Sequence, residues 1–383
     1  MRFVDLFCGI GGFHQALAQR GHECVFASDI DAGCRRVYER NYGIQPAGDI
    51  SLVAPVDVPP HDILCGGFPC QPFSKAGQQR GFEDDRGNLF FKICDIVRHH
   101  KPKYLLLENV RNLGSHDGGN TWTVIRENIR NLGYDTSDEP IILNALHFDV
   151  PQNRERVMIL CKRRDLGGSL APFPPMEKNP KNTLRTHVRA LIDEGGVDAE
   201  TLPPKMVVTE KVWDAFVRTL RREGVVIPKF PIWTDWWDNA FEETDSFYVR
   251  YKNWIDKNRD FYKKHKDILT PWLVNARGEA LWKGAVRKFE WQAGDERGLD
   301  EVLWTPRSSG VRCKRVDYVP TLVALNTCPV YGPLHRRLTP RELLRLQSFP
   351  DTFEYDKKTI FKQVGNAVNV RMILFCVDYL IQQ

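Results

Sequence analysis

A thiol that follows a short apolar stretch is the first candidate for chemistry in this sequence. Cys70 ends a turn that contains Gly66, Gly67 and Pro69. Glycine permits a tight backbone path and proline imposes one, so the sequence predicts that this thiol lies in a loop at the carboxyl end of a strand. Ligands bind at that rim in open α/β sheets. The alternative is a small, partly buried apolar side chain, which is the commoner fate of a cysteine.

A carboxylate and two guanidinium groups occupy similar positions farther along the chain. Glu108 ends the apolar run 104–107, where burial favours its protonated form. A neutral carboxylic acid is what a site needs in order to donate a hydrogen bond to a base. Arg154 and Arg156 precede the predicted strand 157–161, and their spacing predicts that both point to one face. The alternative for this pair is an exposed, salt-bridged strand edge.

The elements that would position these groups begin at the first residues. The sequence predicts a buried strand at 2–7, a glycine-rich turn at 8–12 and a helix at 13–20. A strand, glycine-rich turn and helix suit a ligand that the backbone must approach closely, with its anionic end at a helix N-terminus. The glycine spacing is G-x-G-G rather than G-x-G-x-x-G, which disfavours a nicotinamide dinucleotide.

Two acidic residues follow the next predicted strands. Asp29 ends the strand 23–28, where an acid can bind the hydroxyls of a ribose, and Ile30 could pack on a purine. Asp49 and Ile50 repeat the pattern after the predicted helix 32–41 and suit an adenine edge. Each acid taken alone has an alternative as a helix cap or turn residue.

Composition changes after Arg164. The α/β rhythm is lost, prolines become frequent, and nine of the ten tryptophans fall between 165 and 334. We therefore expect a separate domain or a long insertion there. Residues 307–337 contain six Lys or Arg against one acid, a bias that suits phosphate contacts and base-edge readout.

The α/β pattern then resumes. Thr339 and Pro340 predict a helix start, and a turn at 363–368 precedes a final amphipathic helix at 370–382. This last segment is expected to fold back on the first domain, so that the second domain is inserted in the first. A polar, glycine-punctuated stretch at 78–88 is long enough to form a mobile lid.

The totals restrict the class of protein. A chain of 383 residues is long enough for two domains, and a net charge of +5 permits a nucleic-acid partner without requiring one. The ten cysteines include no C-x-x-C pair, so we expect neither a metal site nor a disulfide framework. No apolar run reaches the length of a membrane span and no secretory leader precedes the first strand, so we expect a reducing cytoplasm and no membrane.

Six motifs, in this order along the chain, together resemble the cytosine-5 DNA methyltransferases, most closely the bacterial restriction-modification type. They are DLFCGIGG (5–12), PCQ (69–71), ENV (108–110), QNRER (152–156), RLTPRE (337–342) and QVGNAV (363–368). The resemblance implies a Rossmann-like, S-adenosylmethionine-dependent methyltransferase fold with an inserted, smaller target-recognition domain. Residues 1–164 and 335–383 would form the catalytic, cofactor-binding domain, and residues 165–334 the DNA-binding domain.

The same resemblance implies roles for single residues. Cys70 would be the nucleophile, Glu108 would act at nitrogen 3 and the amine of cytosine, Arg154 would hold the cytosine carbonyl oxygen, and Arg156 would help to fix the catalytic loop. The positions implied for S-adenosylmethionine are Phe7, Gly9, Ile10, Gly11, Gly12, Asp29, Ile30, Asp49, Ile50, Pro69, Leu89, Asn366 and Val368. The positions expected to contact DNA are Gln71, Ser74 and Arg86, by resemblance to the loop that closes on the duplex, with Arg307, Ser308, Arg312, Lys314 and Thr321 from the basic stretch.

The implied reaction is methylation of carbon 5 of a cytosine flipped out of double-stranded DNA, through a covalent adduct of Cys70 at carbon 6. Such an enzyme protects host DNA, is expected to act as a monomer, and has a cognate endonuclease encoded nearby in some cases. Two alternatives stay open. One is a catalytically silent DNA-binding regulator on the same scaffold. The other is a tRNA cytosine-5 methyltransferase. This alternative is disfavoured because that branch of the family has a late Cys-Phe-Thr signature, which this chain lacks. The cysteine loop of that branch also begins with Pro-Pro, whereas the loop of this chain begins with Phe-Pro.

Overall fold

The structure is a computed structural model that describes residues 1–69, 88–196, 198–238, 246–324 and 328–381. Its helices are α1 Gly12–Ala18, α2 Ala32–Tyr42, α3 Asn88–His100, α4 Asn120–Asn131, α5 Pro204–Arg222, α6 Ser246–Lys264, α7 Lys266–Gly278, α8 Pro340–Leu346, α9 Ile360–Asn366 and α10 Val370–Ile381. Its strands are β1 Arg2–Leu6, β2 Glu23–Ser28, β3 Ile63–Gly67, β4 Tyr104–Val110, β5 Tyr134–Thr136, β6 Ile141–Asn144, β7 Gln152–Asn153, β8 Glu155–Arg163, β9 Ile232–Trp233, β10 Lys288–Gln292, β11 Val302–Arg307, β12 Gly310–Arg315, β13 Val319–Pro320, β14 Val330–Tyr331 and β15 Arg336–Arg337.

The chain divides into two compact units. The first unit comprises Met1–His187, Pro320–Leu325 and Leu343–Gln383, and the second unit comprises Val188–Val319 and Asn326–Glu342. The predicted division at 164/165 and 334/335, with a function for each part, stays a prediction.

Residues 165–187, which we call the proline-rich strap, belong to the first unit. The carbonyl of Ala171 accepts a hydrogen bond from Tyr379 on α10, and the ring of Phe173 packs edge-on against that tyrosine. At the far end of the strap, the carboxylate of Asp149 accepts hydrogen bonds from the backbone and hydroxyl of Thr186. The change of composition after Arg164 therefore marks where regular structure ends, not where the first unit ends.

A seven-stranded sheet organises the first unit. Its order is β2-β1-β3-β4-β8-β5, and β6 also pairs with β8. Strands β1 to β4 are parallel, whereas β8 runs antiparallel to β4. Strands β1, β3 and β4 are short, mainly apolar runs that are buried on both faces, as helix-covered strands must be, whereas the edge strand β2 is only partly buried. This α/β arrangement confirms the predicted fold class.

Strand direction brings the candidate residues to one edge of that sheet. In the register of the parallel strands, Leu6 pairs with Ser28 and with Gly66, and Gly67 pairs with Glu108. Because β8 is antiparallel, its first residues lie at the same edge, where Arg156 pairs with Val110. Residues that are far apart in sequence thus meet because each one begins or ends a strand at this rim.

The predicted helices lie close to the observed ones. The expected helix at 32–41 is α2, and the expected helix at 370–382 is α10. Thr339 starts α8 with a capping box, in which its own N–H donates to the carboxylate of Glu342 and its hydroxyl accepts from the Glu342 N–H. This confirms the helix start expected from Thr339 and Pro340.

The second unit is built around a six-stranded sheet of order β15-β14-β11-β12-β10-β9. Its core is rich in aromatic residues, with Trp213 of α5 stacked on Phe289 of β10 at a centroid distance of 4.3 Å. The tryptophan-rich composition of the middle segment thus supplies a core for this sheet and its helices.

One stretch of the described chain, Ile360–Ile381, is long and apolar enough to pass a composition test for a membrane span. It consists of two helices, because Ala367 between α9 and α10 has extended backbone. About 61% of the apolar window is buried, as in a core helix. The stretch is therefore weak evidence for a membrane span, and the expectation of no membrane stays a prediction.

Candidate active site

Glu108 is the central buried acid at the carboxyl rim of the first unit's sheet. Its residue is 8% exposed, and its Oε1 lies 2.7 Å from Nε of Arg156. Burial raises the pKa of Glu108 above its ordinary range, although the nearby positive charges of Arg156 and Arg154 act in the opposite direction. The neutral form is therefore favoured relative to a solvent-exposed glutamate, as the sequence predicted.

The backbone that leads to the thiol is held against this acid. A Cβ on Gly67 would lie 3.0 Å from Oε2 of Glu108, so glycine allows the two strands to bring acid and turn together. Asn109 donates a hydrogen bond from Nδ2 to the carbonyl of Phe68 at 2.9 Å. Sequence reasoning did not single out Asn109, which fixes the chain two residues before Cys70. Cys70 itself, with Gln71, Ser74 and Arg86, lies outside the described residues.

The two arginines bind different partners. Arg154 is 1% exposed, and its terminal nitrogens donate to the carbonyls of Leu322, Gly365 and Ala367 at 2.8–2.9 Å. Burial lowers the pKa of Arg154 to about 9. Its guanidinium ties three chain segments of the first unit together, whereas Arg156 contacts the acid.

The glycine-rich turn uses left-handed backbone at three positions. Phe7, Gly9 and Gly11 have φ of 55°, 53° and 87°. A Cβ on Gly12 would lie 2.6 Å from Cγ2 of Val368, so this glycine is required by close packing. A Cβ on Gly9 would meet nothing within 4 Å, which leaves space beside that part of the turn. The turn is packed tightly at Gly12 and open at Gly9.

Asp29 connects this turn to the end of β2. Its two carboxylate oxygens accept hydrogen bonds from the N–H of Gly9 at 2.8 Å and of Asp31 at 2.7 Å. Burial raises the pKa of Asp29, and these backbone donors oppose the shift. Ile30 beside it is 74% exposed, unusual for a large apolar side chain at a sheet edge. The rim thus presents an acid and an apolar surface side by side, and their binding to a nucleoside stays a prediction.

The remaining predicted cofactor positions differ in exposure. Asp49 caps the turn Ile50–Leu52 through the Ser51 N–H, the alternative considered for this acid. Ile50 is 3% exposed and packs in the core of the first unit. The others are Ile10 and Val368, which are buried, Leu89, which is half-buried, and Pro69 and Asn366, which are exposed.

A buried polar network behind the turn was not found from the sequence. The Tyr42 hydroxyl donates to the carbonyl of Gly11 at 2.9 Å, and its ring stacks on His14 at a centroid distance of 3.8 Å. Nδ1 of His14 lies 2.7 Å from the Tyr38 hydroxyl, which in turn lies 3.5 Å from Oδ2 of Asp5. Tyr38 and Tyr42 are four residues apart and lie on one face of α2, a spacing typical of core packing. The sequence therefore did not indicate that they support the turn.

The candidate DNA contacts fall into two groups. Arg307, Ser308, Arg312 and Lys314 lie on or beside the hairpin β11–β12 of the second unit. Thr321 belongs to the first unit, where its hydroxyl donates to the carbonyl of Asn153 at 2.7 Å. Among the residues that the structure describes, no three His, Cys, Asp or Glu side chains are grouped to hold a metal ion.

Comparison with known proteins places the chain in a family. A family model described as C-5 cytosine-specific DNA methylase matches residues 1–381. The Type II methyltransferase M.AluI of Cellulosimicrobium cellulans is 32% identical, across 97% of this chain and 90% of that protein. M.DsaV of Dactylococcopsis salina, also a Type II methyltransferase, is 36% identical across 97% of this chain and 84% of that protein. The chain belongs to the C-5 cytosine-specific DNA methylases.

Solved structures show the same fold. The structural alignment with a putative DNA modification methyltransferase encoded within an E. coli prophage covers all of both chains, with a TM-score of 0.54 and 21% sequence identity. The alignment with a DNMT2 of Spodoptera frugiperda covers 99% of both chains, with a TM-score of 0.52 and 18% sequence identity. The fold is therefore the Rossmann-like methyltransferase fold. By its family the protein is a DNA cytosine-5 methyltransferase of the bacterial Type II restriction-modification kind.

Proposed function

We propose that this enzyme methylates carbon 5 of a flipped-out cytosine in a specific, short double-stranded DNA sequence, with S-adenosylmethionine as methyl donor and Cys70 as covalent nucleophile. The observation that carries the proposal is the buried pair of Glu108 and Arg156 beside Gly67, three residues before the thiol. A pre-positioned acid and cation next to a nucleophile are what an addition that places negative charge on a ring requires.

The proposed chemistry assigns each group a step. Carbon 5 of cytosine becomes nucleophilic when the Cys70 thiolate adds to carbon 6 and forms a C–S bond. Glu108 in its neutral form donates its proton to nitrogen 3, which neutralises the charge placed on the ring. Carbon 5 would take the methyl group as the bond from that methyl to the sulfonium sulfur breaks, which leaves the neutral thioether S-adenosylhomocysteine. Carbon 5 then loses its proton to water. The C–S bond breaks, and nitrogen 3 returns its proton to Glu108.

The two arginines take roles that differ from those implied by the resemblance. Arg156 contacts the acid, so we assign it the stabilisation of the cytosine carbonyl oxygen. The terminal N–H groups of Arg154 donate to three backbone carbonyls, so we propose that Arg154 holds the segments that carry those carbonyls in place. Replacing Arg156 by Gln should reduce kcat while folding is retained, and replacing Arg154 by Gln should mainly lower thermal stability.

The residues of the rim fit S-adenosylmethionine. Bound there, it would supply an electrophilic methyl group on a sulfonium sulfur. The open space at Gly9, the carboxylate of Asp29 and the exposed Ile30 suit a nucleoside with a ribose and a purine. The other proposed contacts are Phe7, Ile10, Gly11, Gly12, Asp49, Ile50, Pro69, Leu89, Asn366 and Val368.

The remaining assignments follow the family. We propose that the duplex is read mainly by the second unit and that the base is extruded at a cost of about a few kcal/mol, which is offset by contacts of the segment after Cys70. We further propose a cytoplasmic monomer that protects host DNA, with or without a cognate endonuclease encoded nearby. A silent regulator is disfavoured, because Cys70, Glu108 and both arginines are all present.

The test is covalent trapping. Bisulfite sequencing of plasmid from cells that express the protein identifies the target, and 5-fluorocytosine is then placed at the methylated position of a synthetic duplex. With S-adenosylmethionine, the enzyme should form an adduct that survives denaturing electrophoresis and maps to Cys70. Cys70→Ala should give no adduct while binding S-adenosylmethionine normally. Failure of the unmodified enzyme to form the adduct, or an adduct at another residue, refutes the mechanism.

A further inference from the structure

The outer face of the second unit's sheet carries polar side chains around Arg312, and its inner face forms the core. Strands β10, β12 and β11 place Glu290, Arg312 and Thr305 directly opposite one another. Their chain neighbours Phe289, Trp291, Val311, Cys313 and Trp304 belong to the core on the other face. The alternation therefore commits Arg307, Arg312 and Lys314 to the outer face.

The basic residues of this face lie on the hairpin β11–β12, at the centre of the six-stranded sheet between β14 and β10. Strands β11 and β12 form an antiparallel hairpin closed by the two residues Ser308 and Ser309, with Arg307 opposite Gly310 at its tip. Burial lowers the pKa of Arg307, and the positive charge of Arg312 acts in the same direction. Strands of a sheet are among the elements with which proteins read bases in the grooves of DNA.

A carboxylate of the neighbouring strand orients Arg312. Its Nε and Nη2 lie 2.8 Å and 2.7 Å from the same oxygen, Oε2, of Glu290. The other oxygen of Glu290 accepts a hydrogen bond from Gln292. Both side chains of the pair are mostly shielded from solvent, with 31% of Arg312 and 21% of Glu290 exposed. The guanidinium is thus held in one orientation before any ligand binds.

This arrangement suits a base edge better than a phosphate. A carboxylate beside the guanidinium cancels much of its charge and would repel a phosphate, but the N–H donors remain. A guanidinium has five N–H donors, so an arginine that gives two of them to a carboxylate retains three. Guanine presents two acceptors, N7 and O6, in the major groove, whereas adenine presents one acceptor and one donor.

We propose that Arg312, oriented by Glu290, is a specificity-determining residue that reads a guanine of the target sequence through the major groove. The proposal rests on the proposed function, because it assumes that the second unit contacts duplex DNA. It assigns Glu290 as a positioning residue, which acts only through Arg312. A cross-strand ion pair with no function beyond sheet stability is the competing explanation, and it predicts no change of sequence preference.

The test compares sequence preference, not activity alone. The methylated motif of the unmodified enzyme is determined by bisulfite sequencing, and methylation rates are then measured on duplexes in which one guanine at a time is replaced by 7-deazaguanine, which lacks the N7 acceptor. One position should show a loss of about 5- to 150-fold. Inosine, which keeps N7 and O6, should be tolerated at the same position.

Arg312→Ala should methylate sites with any base at that position and should no longer respond to 7-deazaguanine there. Arg312→Lys, which keeps the charge, should also lose the discrimination, and Glu290→Gln should weaken it in part. The control is Arg222→Ala, which removes an arginine of the same unit whose side chain is 73% exposed and paired with Glu223. It should leave the preference unchanged.

Several results would overturn the inference. They are a target without guanine, Arg312 variants that keep full discrimination at every position, and variants whose rates fall equally on all sequences, as loss of a phosphate contact would cause. The base-analogue measurement uses the unmodified protein, so a variant that fails to fold leaves the test intact. An unmodified enzyme that methylates no DNA would instead refute the proposed function.

Discussion

The Tyr42 hydroxyl provides the sharpest test of how the glycine-rich turn is held. It donates to the carbonyl of Gly11 at 2.9 Å and lies 3.4 Å from the carbonyl of Ile10. Tyr42→Phe removes only this oxygen and keeps the ring stacked on His14. A lost buried hydrogen bond of this kind costs about 1 kcal/mol, which corresponds to about a fivefold change in an equilibrium constant.

We therefore expect Tyr42→Phe to bind S-adenosylmethionine about fivefold more weakly, with KM for this substrate raised and kcat nearly unchanged. Isothermal titration calorimetry and initial rates at varied S-adenosylmethionine concentration measure both quantities. The matched control is Tyr134→Phe, which also removes one hydrogen bond between a phenol and a carbonyl, to Pro102 at 2.5 Å, but lies on the short strand β5.

Tyr134→Phe should lower the free energy of unfolding by a similar amount and leave S-adenosylmethionine binding as it is. If Tyr42→Phe binds S-adenosylmethionine as tightly as the unmodified enzyme, the support of the turn by this hydroxyl has no functional effect. If both variants weaken binding equally, the effect comes from general destabilisation. Either outcome would contradict the reasoning.

Three further predictions concern the acid, the turn and the second unit. Glu108→Gln should reduce kcat by about 10²- to 10⁴-fold; because burial raises the pKa of Glu108, the part of the rate that depends on its proton should fall as pH rises through that pKa, and this dependence should vanish in the variant. A rate within tenfold of normal would contradict the assignment. Gly12→Ala should cost about 1–3 kcal/mol in urea unfolding because its Cβ meets Val368, and Val368→Ala should restore part of that stability; no loss would show that the packing is looser than described. Glu342→Ala should lower the free energy of unfolding by about 3–5 kcal/mol, because it leaves Arg336 buried without its carboxylate. Unfolding followed by tryptophan fluorescence measures this change, and a loss below about 1 kcal/mol would show that the pair is solvated.

Local patterns were sufficient for the elements and for the presence of the catalytic groups. Short apolar runs predicted β1, β3 and β4, and the capping signal at Thr339 predicted the start of α8. The prediction that burial raises the pKa of Glu108 needed only its place at the end of a buried strand. These features depend on neighbours in sequence, which is why they could be read from it.

Contacts between segments that are distant in sequence could not be predicted from such local patterns. The sequence placed Arg154 and Arg156 together, yet Arg154 donates to carbonyls about 170 to 210 residues away, and Arg156 pairs with an acid on another strand. The proline-rich strap was expected in the middle domain because its composition lacks α/β periodicity. In the structure it is grouped with the first unit, where it contacts α10 and Asp149.

By itself, the sequence determined the α/β class, the order of the motifs and the chemical types at the site, because hydrophobic period, turn residues and motif spacing are local properties. The tertiary structure decided which guanidinium faces Glu108, which tyrosine holds the glycine-rich turn, and that Arg312 is oriented by Glu290 across two strands. The reason is physical: strand order, strand direction and side-chain packing bring together groups that no spacing along the chain relates.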